Sequence, residues 1–104
     1  MEKKIQKFQD LFAWQEAHKL ALLVYRISKD FPKEELFALT NQIRRAAVSV
    51  PSNIAEGYGR PGGKDRVHFF WIAKGSLLEV ESQFLIAKDL GYLKNNASEK
   101  EFES

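Results

Sequence analysis

Phe70, Ala73, Leu77, Val80, Phe84, Ala87 and Gly91 follow one another at alternating spacings of three and four, the interval at which an α-helix returns to the same face. A second row runs beside it through Phe69, Ile72, Ser76, Glu79, Gln83, Ile86 and Leu90, and Trp71, Leu78 and Leu85 form a third. A helix that is apolar over most of its circumference has to be covered on several sides. Two other helices of a chain this short do not supply enough neighbours, so the pattern predicts a helical bundle whose third helix is sheltered by other subunits.

Two more helices precede it. Leu11, Trp14, Ala17, Ala21, Val24 and Ser28 recur at helical spacing with a flanking stripe of Leu20, Leu23 and Ile27, which predicts a helix over about 11–30. Phe31-Pro32 stops it, because proline disfavours helical geometry in the residue before it. The next pattern, Leu36, Leu39, Thr40, Ile43, Ala47, Val50 and Ile54, predicts a helix over about 34–57, with Glu34 and Glu35 at the positive end of its dipole. Pro51 lies inside that pattern and predicts a kink near 47–51, at a cost of about 3 kcal/mol offset by packing. The glycine-rich stretch GYGRPGG forms the loop to the third helix, over about 64–91, and Gly91 is placed to cap it. Ser98 can cap a short last helix over 98–104. No segment alternates as a β-strand does. The expected fold is all-α, an antiparallel up-down four-helix bundle with a shortened or truncated fourth helix, in one domain spanning 1–104.

Composition narrows the class of function. There are 104 residues, 44% of them apolar, enough for one modest core, and no cysteine, so helix packing rather than disulfides or thiolate-bound metal must hold the fold. The N-terminal MEKKIQKFQD lacks the apolar centre of a secretory signal, and the run from Leu20 to Tyr25 is too short to span a bilayer. The expectation is a soluble, cytoplasmic protein without membrane contact, in which the sequon Asn96-Ala97-Ser98 is accidental.

Catalytic and cofactor chemistry find little footing. Gly57, Gly59 and Gly62 satisfy G-x-G-x-x-G, but that fingerprint functions after a β-strand, whereas here a helix precedes it and Pro61 sits inside it. His18 and His68 belong to no metal-binding spacing, and Glu79 and Glu81, two apart on a helix, point to different faces. Ser49, Ser52 and Ser76 have no histidine in a nucleophile motif. The expectation is no enzyme, no catalytic residues, no cofactor, no metal and no small-molecule substrate.

The informative polar features lie elsewhere. Gln42, Arg45, Ser49, Asn53, Glu56 and Arg60 form one face of the second helix. Either that face is solvated, with ordinary intrahelical pairs, or Arg45, Ser49, Asn53 and Glu56 meet Ser76 and Glu79 in a polar network that fixes helix or subunit register. Arg44, Arg45, Arg60, Lys64 and Arg66 oppose only Glu56 and Asp65, so Thr40 to Arg66 nets +3 (5 minus 2). Met1 to Arg66 carries 12 basic and 8 acidic residues and Val67 to Ser104 carries 4 and 6, giving halves of +4 and −2. These arginines and Lys64 are candidates for RNA or DNA phosphates, or equally for structural ion pairs.

The segments QIRRAAVSVPSNIAEGYGR, FFWIAKGSLLEVE and LGYL, with WQEAHKL and DFPKEELFAL upstream, resemble the four-helix bundle family encoded in 23S ribosomal RNA intervening sequences, also labelled S23 ribosomal proteins. The resemblance covers roughly 11–93 and implies a homopentamer. A more distant likeness, to the accessory variability protein of diversity-generating retroelements, implies a basic pentameric barrel that binds nucleic acid. The functional expectation is a homo-oligomeric scaffold that binds nucleic acid, RNA first; the alternative is a protein-interaction module with no nucleic-acid role.

Overall fold

A computed structural model describes residues 4–93. They form three helices, α1 (Phe12–Ser28), α2 (Leu39–Tyr58) and α3 (Gly63–Asp89), with single 3-10 turns at Phe8–Asp10 and Lys33–Glu35 and no strand among the described residues. The helix expected over 98–104 lies outside the described residues. No helix among them is long and apolar enough to cross a membrane.

The second helix begins later than its apolar pattern suggests. Lys33–Glu35 form a 3-10 turn, and Ala38, at φ −124° and ψ −106°, breaks the path before α2 starts at Leu39. Glu35 therefore sits one turn ahead of the helix rather than inside it, and its Oε1 accepts the Leu39 N–H at 3.3 Å. The carboxylate thus answers one of the unpaired N–H groups at the start of α2. Pro51 is accommodated in mid-helix, buried, with α2 continuing to Tyr58. At the other end of the layer α3 stops in a Schellman turn. Gly91 takes φ +78°, its N–H reaches the Lys88 carbonyl, and the Tyr92 N–H reaches that of Ala87.

α2 is the middle helix. α1 packs antiparallel on one side of it and α3 antiparallel on the other, so α1 and α3 run the same way. Ala21, Val24, Ile27 and Phe31 meet Ile43, Ala47, Val80, Phe84 and Ala87 in the larger core cluster, and Ala17, Val50, Ile54 and Ala73 form a smaller one. The inner row of α3 is the heptad row read from the sequence. Between α1 and α3, floored by Val50 and Ile54, runs an apolar groove of about 560 Å³ lined by Ala17, Leu20, Phe70, Ala73 and Leu77. The layer measures 43 × 30 × 17 Å, thin enough that one broad face of each outer helix stays in water.

Candidate nucleic-acid interface

The five basic residues of the α2 and loop cluster occupy three separate places. Arg44 and Arg45 are neighbours in sequence, and a helix turns about 100° between them. Arg44 is half-buried against α1, where its Nε donates to Ser28 Oγ at 2.8 Å and its guanidinium lies 4.9 Å from the centre of the Tyr25 ring. Ser28 Oγ in turn donates to the Tyr25 carbonyl at 3.3 Å. This is an inter-helix clamp whose donors face inward. Arg45 is exposed on the opposite side, facing α3.

Arg60, Lys64 and Arg66 gather at the α2–α3 turn and are all exposed. Arg66 Nε donates to the Arg60 carbonyl at 2.7 Å, which closes the loop across its base. Each guanidinium rests on an aromatic ring, Arg60 over Phe69 at 4.7 Å and Arg66 over Tyr58 at 5.8 Å. Stacking holds the planar forks, and the Nη groups of Arg66, which is engaged through Nε, stay open to an acceptor. Glu56 forms an exposed ion pair with Arg60 at 3.3 Å, which contributes at most about 1 kcal/mol. Beside this tip, Phe8, Ser52, Glu56, Gly59 and Arg60 border an open cleft of about 660 Å³.

The polar face of α2 meets α3 along a seam. Ser49 Oγ and Ser76 Oγ share a hydrogen bond of 2.8 Å across the two helices. Asn53 Nδ2 donates to Ser49 Oγ at 2.9 Å and to the Ser49 carbonyl at 2.8 Å. On α3, Gln83 Nε2 donates to Glu79 Oε2 at 3.4 Å, and Gln83 Oε1 is buried with no donor. An unanswered buried acceptor costs about 1–3 kcal/mol. Of the residues expected in the network, Ser49, Asn53 and Ser76 are joined and Glu79 is tied to Gln83. Arg45 and Glu56 stand outside it. Arg45 lines a recess of about 370 Å³ at the upper end of the seam together with Phe37, Gln42, Ser49, Ser76 and Glu79.

Several residues that matter here carry no motif. Phe37 is 90% exposed and Phe12 75%, the two most exposed large apolar side chains of the described residues. Tyr92 donates its hydroxyl to Glu35 Oε2 at 2.7 Å and stacks obliquely on Phe31. That hydrogen bond raises the phenol above its ordinary value of 10.0, and burial and the charges of Glu35 and Glu34 add to it. A lone tyrosine after a glycine gives no sequence signal for such a clasp. His18 stacks on Trp14 at 4.8 Å and His68 meets Phe69 edge-on, so both imidazoles sit against aromatic rings. No group of three or more metal-ligating side chains occurs among the described residues.

Two comparisons bear on this geometry. The family model of the 23S rRNA-intervening sequence protein matches residues 9–103. No curated protein matches the chain.

Proposed function

The chain belongs to the 23S rRNA-intervening sequence protein family, and on that premise we propose that it is a homo-oligomeric helical scaffold that binds RNA through the α2–α3 tip. The observation that supports this reading most strongly is the outer face of α3, where Trp71 is 63% exposed and Leu78 and Leu85 are each 54% exposed. Val67, 53% exposed, continues the same row toward the start of the helix. A contiguous exposed apolar row on a helix face marks an interaction site. Copies of the same chain are the proposed cover, five of them by the family resemblance.

The RNA half of the proposal draws on the family's name and on Arg60, Lys64 and Arg66, an exposed basic group gathered at one end of the molecule. Phosphate binding by such a tip weakens steeply with salt as counterions are released. The four-helix form of the bundle is part of the same proposal: the groove between α1 and α3 has the apolar lining that a fourth helix would cover.

Light scattering on the purified protein, combined with fluorescence anisotropy on a structured RNA over a salt series, tests both halves. An oligomer whose RNA affinity falls with salt is expected; a monomer, or affinity flat in salt, refutes the corresponding half. A protein-interaction module without RNA contact is the second reading, favoured by the engagement of Arg44 with Ser28 and Tyr25. Charge reversal at Lys64 and Arg66 separates the two, since loss of RNA binding with an intact oligomer supports the first.

A further inference from the structure

We propose that the recess between α2 and α3 takes one unpaired base of the bound RNA, and that it selects guanine. The proposal rests on the RNA reading above and adds a base-specific site to it.

The floor of the recess is already satisfied. Ser49 and Ser76 bond each other, and Asn53 occupies the remaining capacity of Ser49. The walls are not. Arg45 on α2 and Glu79 on α3 both line the recess but form no ion pair with each other, and Arg45 makes no hydrogen bond or ion pair among the described residues. Glu79 is held by Gln83 through Oε2, which leaves its other oxygen uncommitted. Phe37, almost wholly exposed, stands at the rim as an open aromatic face.

This combination limits the ligand. A free phosphate would be repelled by the Glu79 carboxylate, and a cation by Arg45. The occupant must be neutral, must offer acceptors to a guanidinium and donors to a carboxylate, and must present a flat surface to Phe37. A nucleobase meets all three conditions, since unpaired RNA bases are read on their edges while stacked on aromatic side chains. Among the four, guanine fits the charges best. Its N1–H and N2–H donors can both meet the Glu79 carboxylate, and its O6 and N7 acceptors match the fork of Arg45. Adenine, cytosine and uracil lack that paired donor edge beside a paired acceptor edge. Arg45 lies on α2 and Arg60 two residues past its end at Tyr58. The 13 residues from Arg45 to Tyr58 rise about 20 Å along the helix, so one strand can touch both the tip and the recess.

The test uses the full chain and short labelled oligouridines carrying one central guanosine, adenosine or inosine, read by fluorescence anisotropy. Each good bidentate pair discriminates by about tenfold or more. The guanosine oligomer is therefore expected to bind at least about tenfold tighter than all-uridine, with adenosine close to uridine and inosine, which keeps O6 and N7 but lacks the 2-amino donor, between the two. Glu79→Gln should lower guanosine to about the inosine level and leave the uridine baseline unchanged. Equal, salt-sensitive binding of every oligomer overturns the base site and leaves the phosphate reading standing. No binding at low salt overturns both. A guanosine preference undiminished by Glu79→Gln, or an inosine oligomer that binds like guanosine, removes Glu79 as the reader. The inosine comparison needs no variant, so it decides the matter even if Glu79→Gln folds poorly.

Discussion

Gly57→Ala is the sharpest test of how closely α2 and α3 approach. Gly57 lies in the last turn of α2 with ordinary negative φ, so alanine meets no backbone strain there. By helix propensity alone the substitution stabilises by about 1 kcal/mol. Packing opposes it. A Cβ at Gly57 would lie 3.0 Å from Phe69 Cβ, 3.1 Å from Phe70 Cε1 and 3.2 Å from the Arg66 carbonyl oxygen. The Phe70 ring edge can swing away, but the Arg66 oxygen is backbone and Phe69 Cβ is fixed one bond from it. Relief requires the α2–α3 hairpin to open at its tip, and overpacking of this kind costs about 1–3 kcal/mol. The net expectation is a loss of about 0–2 kcal/mol. Gly75→Ala is the matched control, because nothing lies within 4 Å of its added Cβ and the propensity gain of about 1 kcal/mol stands unopposed within one chain. Urea unfolding followed by far-UV circular dichroism, at one fixed protein concentration because assembly shifts the midpoint, measures both. A Gly57→Ala protein stabilised as much as the Gly75→Ala control would refute the close approach and the hairpin geometry built on it.

Other substitutions read the remaining contacts. Arg44→Ala should lower stability by about 1–2 kcal/mol through loss of the Ser28 bond and the Tyr25 stack, with no change in RNA affinity; urea midpoints and anisotropy read the two separately. Ser49→Ala or Ser76→Ala alone should cost about 1–3 kcal/mol by stranding a polar partner, whereas the double variant should lie much nearer the parent, so a double-mutant cycle must show strong coupling. Tyr92→Phe should lower the unfolding midpoint near neutrality. Because the folded state holds the phenol proton above its ordinary value of 10.0, the hydrogen bond's contribution is present below that pH and is lost as pH rises through the raised folded value. The parent should therefore lose stability in that alkaline window and the phenylalanine variant should lose less; parallel alkaline slopes would contradict the clasp.

Periodicity carried the reading where the cause is local and failed where it is tertiary. The rows on α3 follow from the 3.6-residue turn, so the inner row through Ala73, Val80, Phe84 and Ala87 and the outer row through Trp71, Leu78 and Leu85 were both legible. The start of α2 was not. Leu36 continues the apolar pattern, yet Phe31 is drawn into the core and Ala38 breaks the path, so the acids become a cap ahead of the helix instead of its first turn. The basic cluster was legible as composition but not as a site, because adjacent residues on a helix project in different directions and only packing decides that Arg44 faces α1. The Ser49–Ser76 bond was within reach of spacing arguments. The Tyr92–Glu35 clasp joins residues 57 apart, a separation no local pattern encodes.

In the proposed ring the outer face of α3 and the basic tip would be linked by symmetry, and that link yields the last prediction. Identical subunits in a closed ring share one polarity along the axis. Every α2–α3 hairpin then points the same way, and each copy's Arg60, Lys64 and Arg66 join a single basic rim. A tip that is weak in one subunit becomes multivalent in the ring, where avidity can exceed the single-site affinity by about 10²–10⁴ without any new contact. Leu78→Glu places a charge in the middle of the apolar outer row, 15 residues from the start of α3 and so about 22 Å from the tip. It touches no proposed phosphate contact, yet it should give a smaller species by light scattering and at the same time weaken RNA binding by at least about tenfold. An assembly unchanged by the glutamate would show that α3 does not form the interface. A monomeric variant that binds RNA as tightly as the parent would show that assembly and binding are independent, and the rim would then have no role.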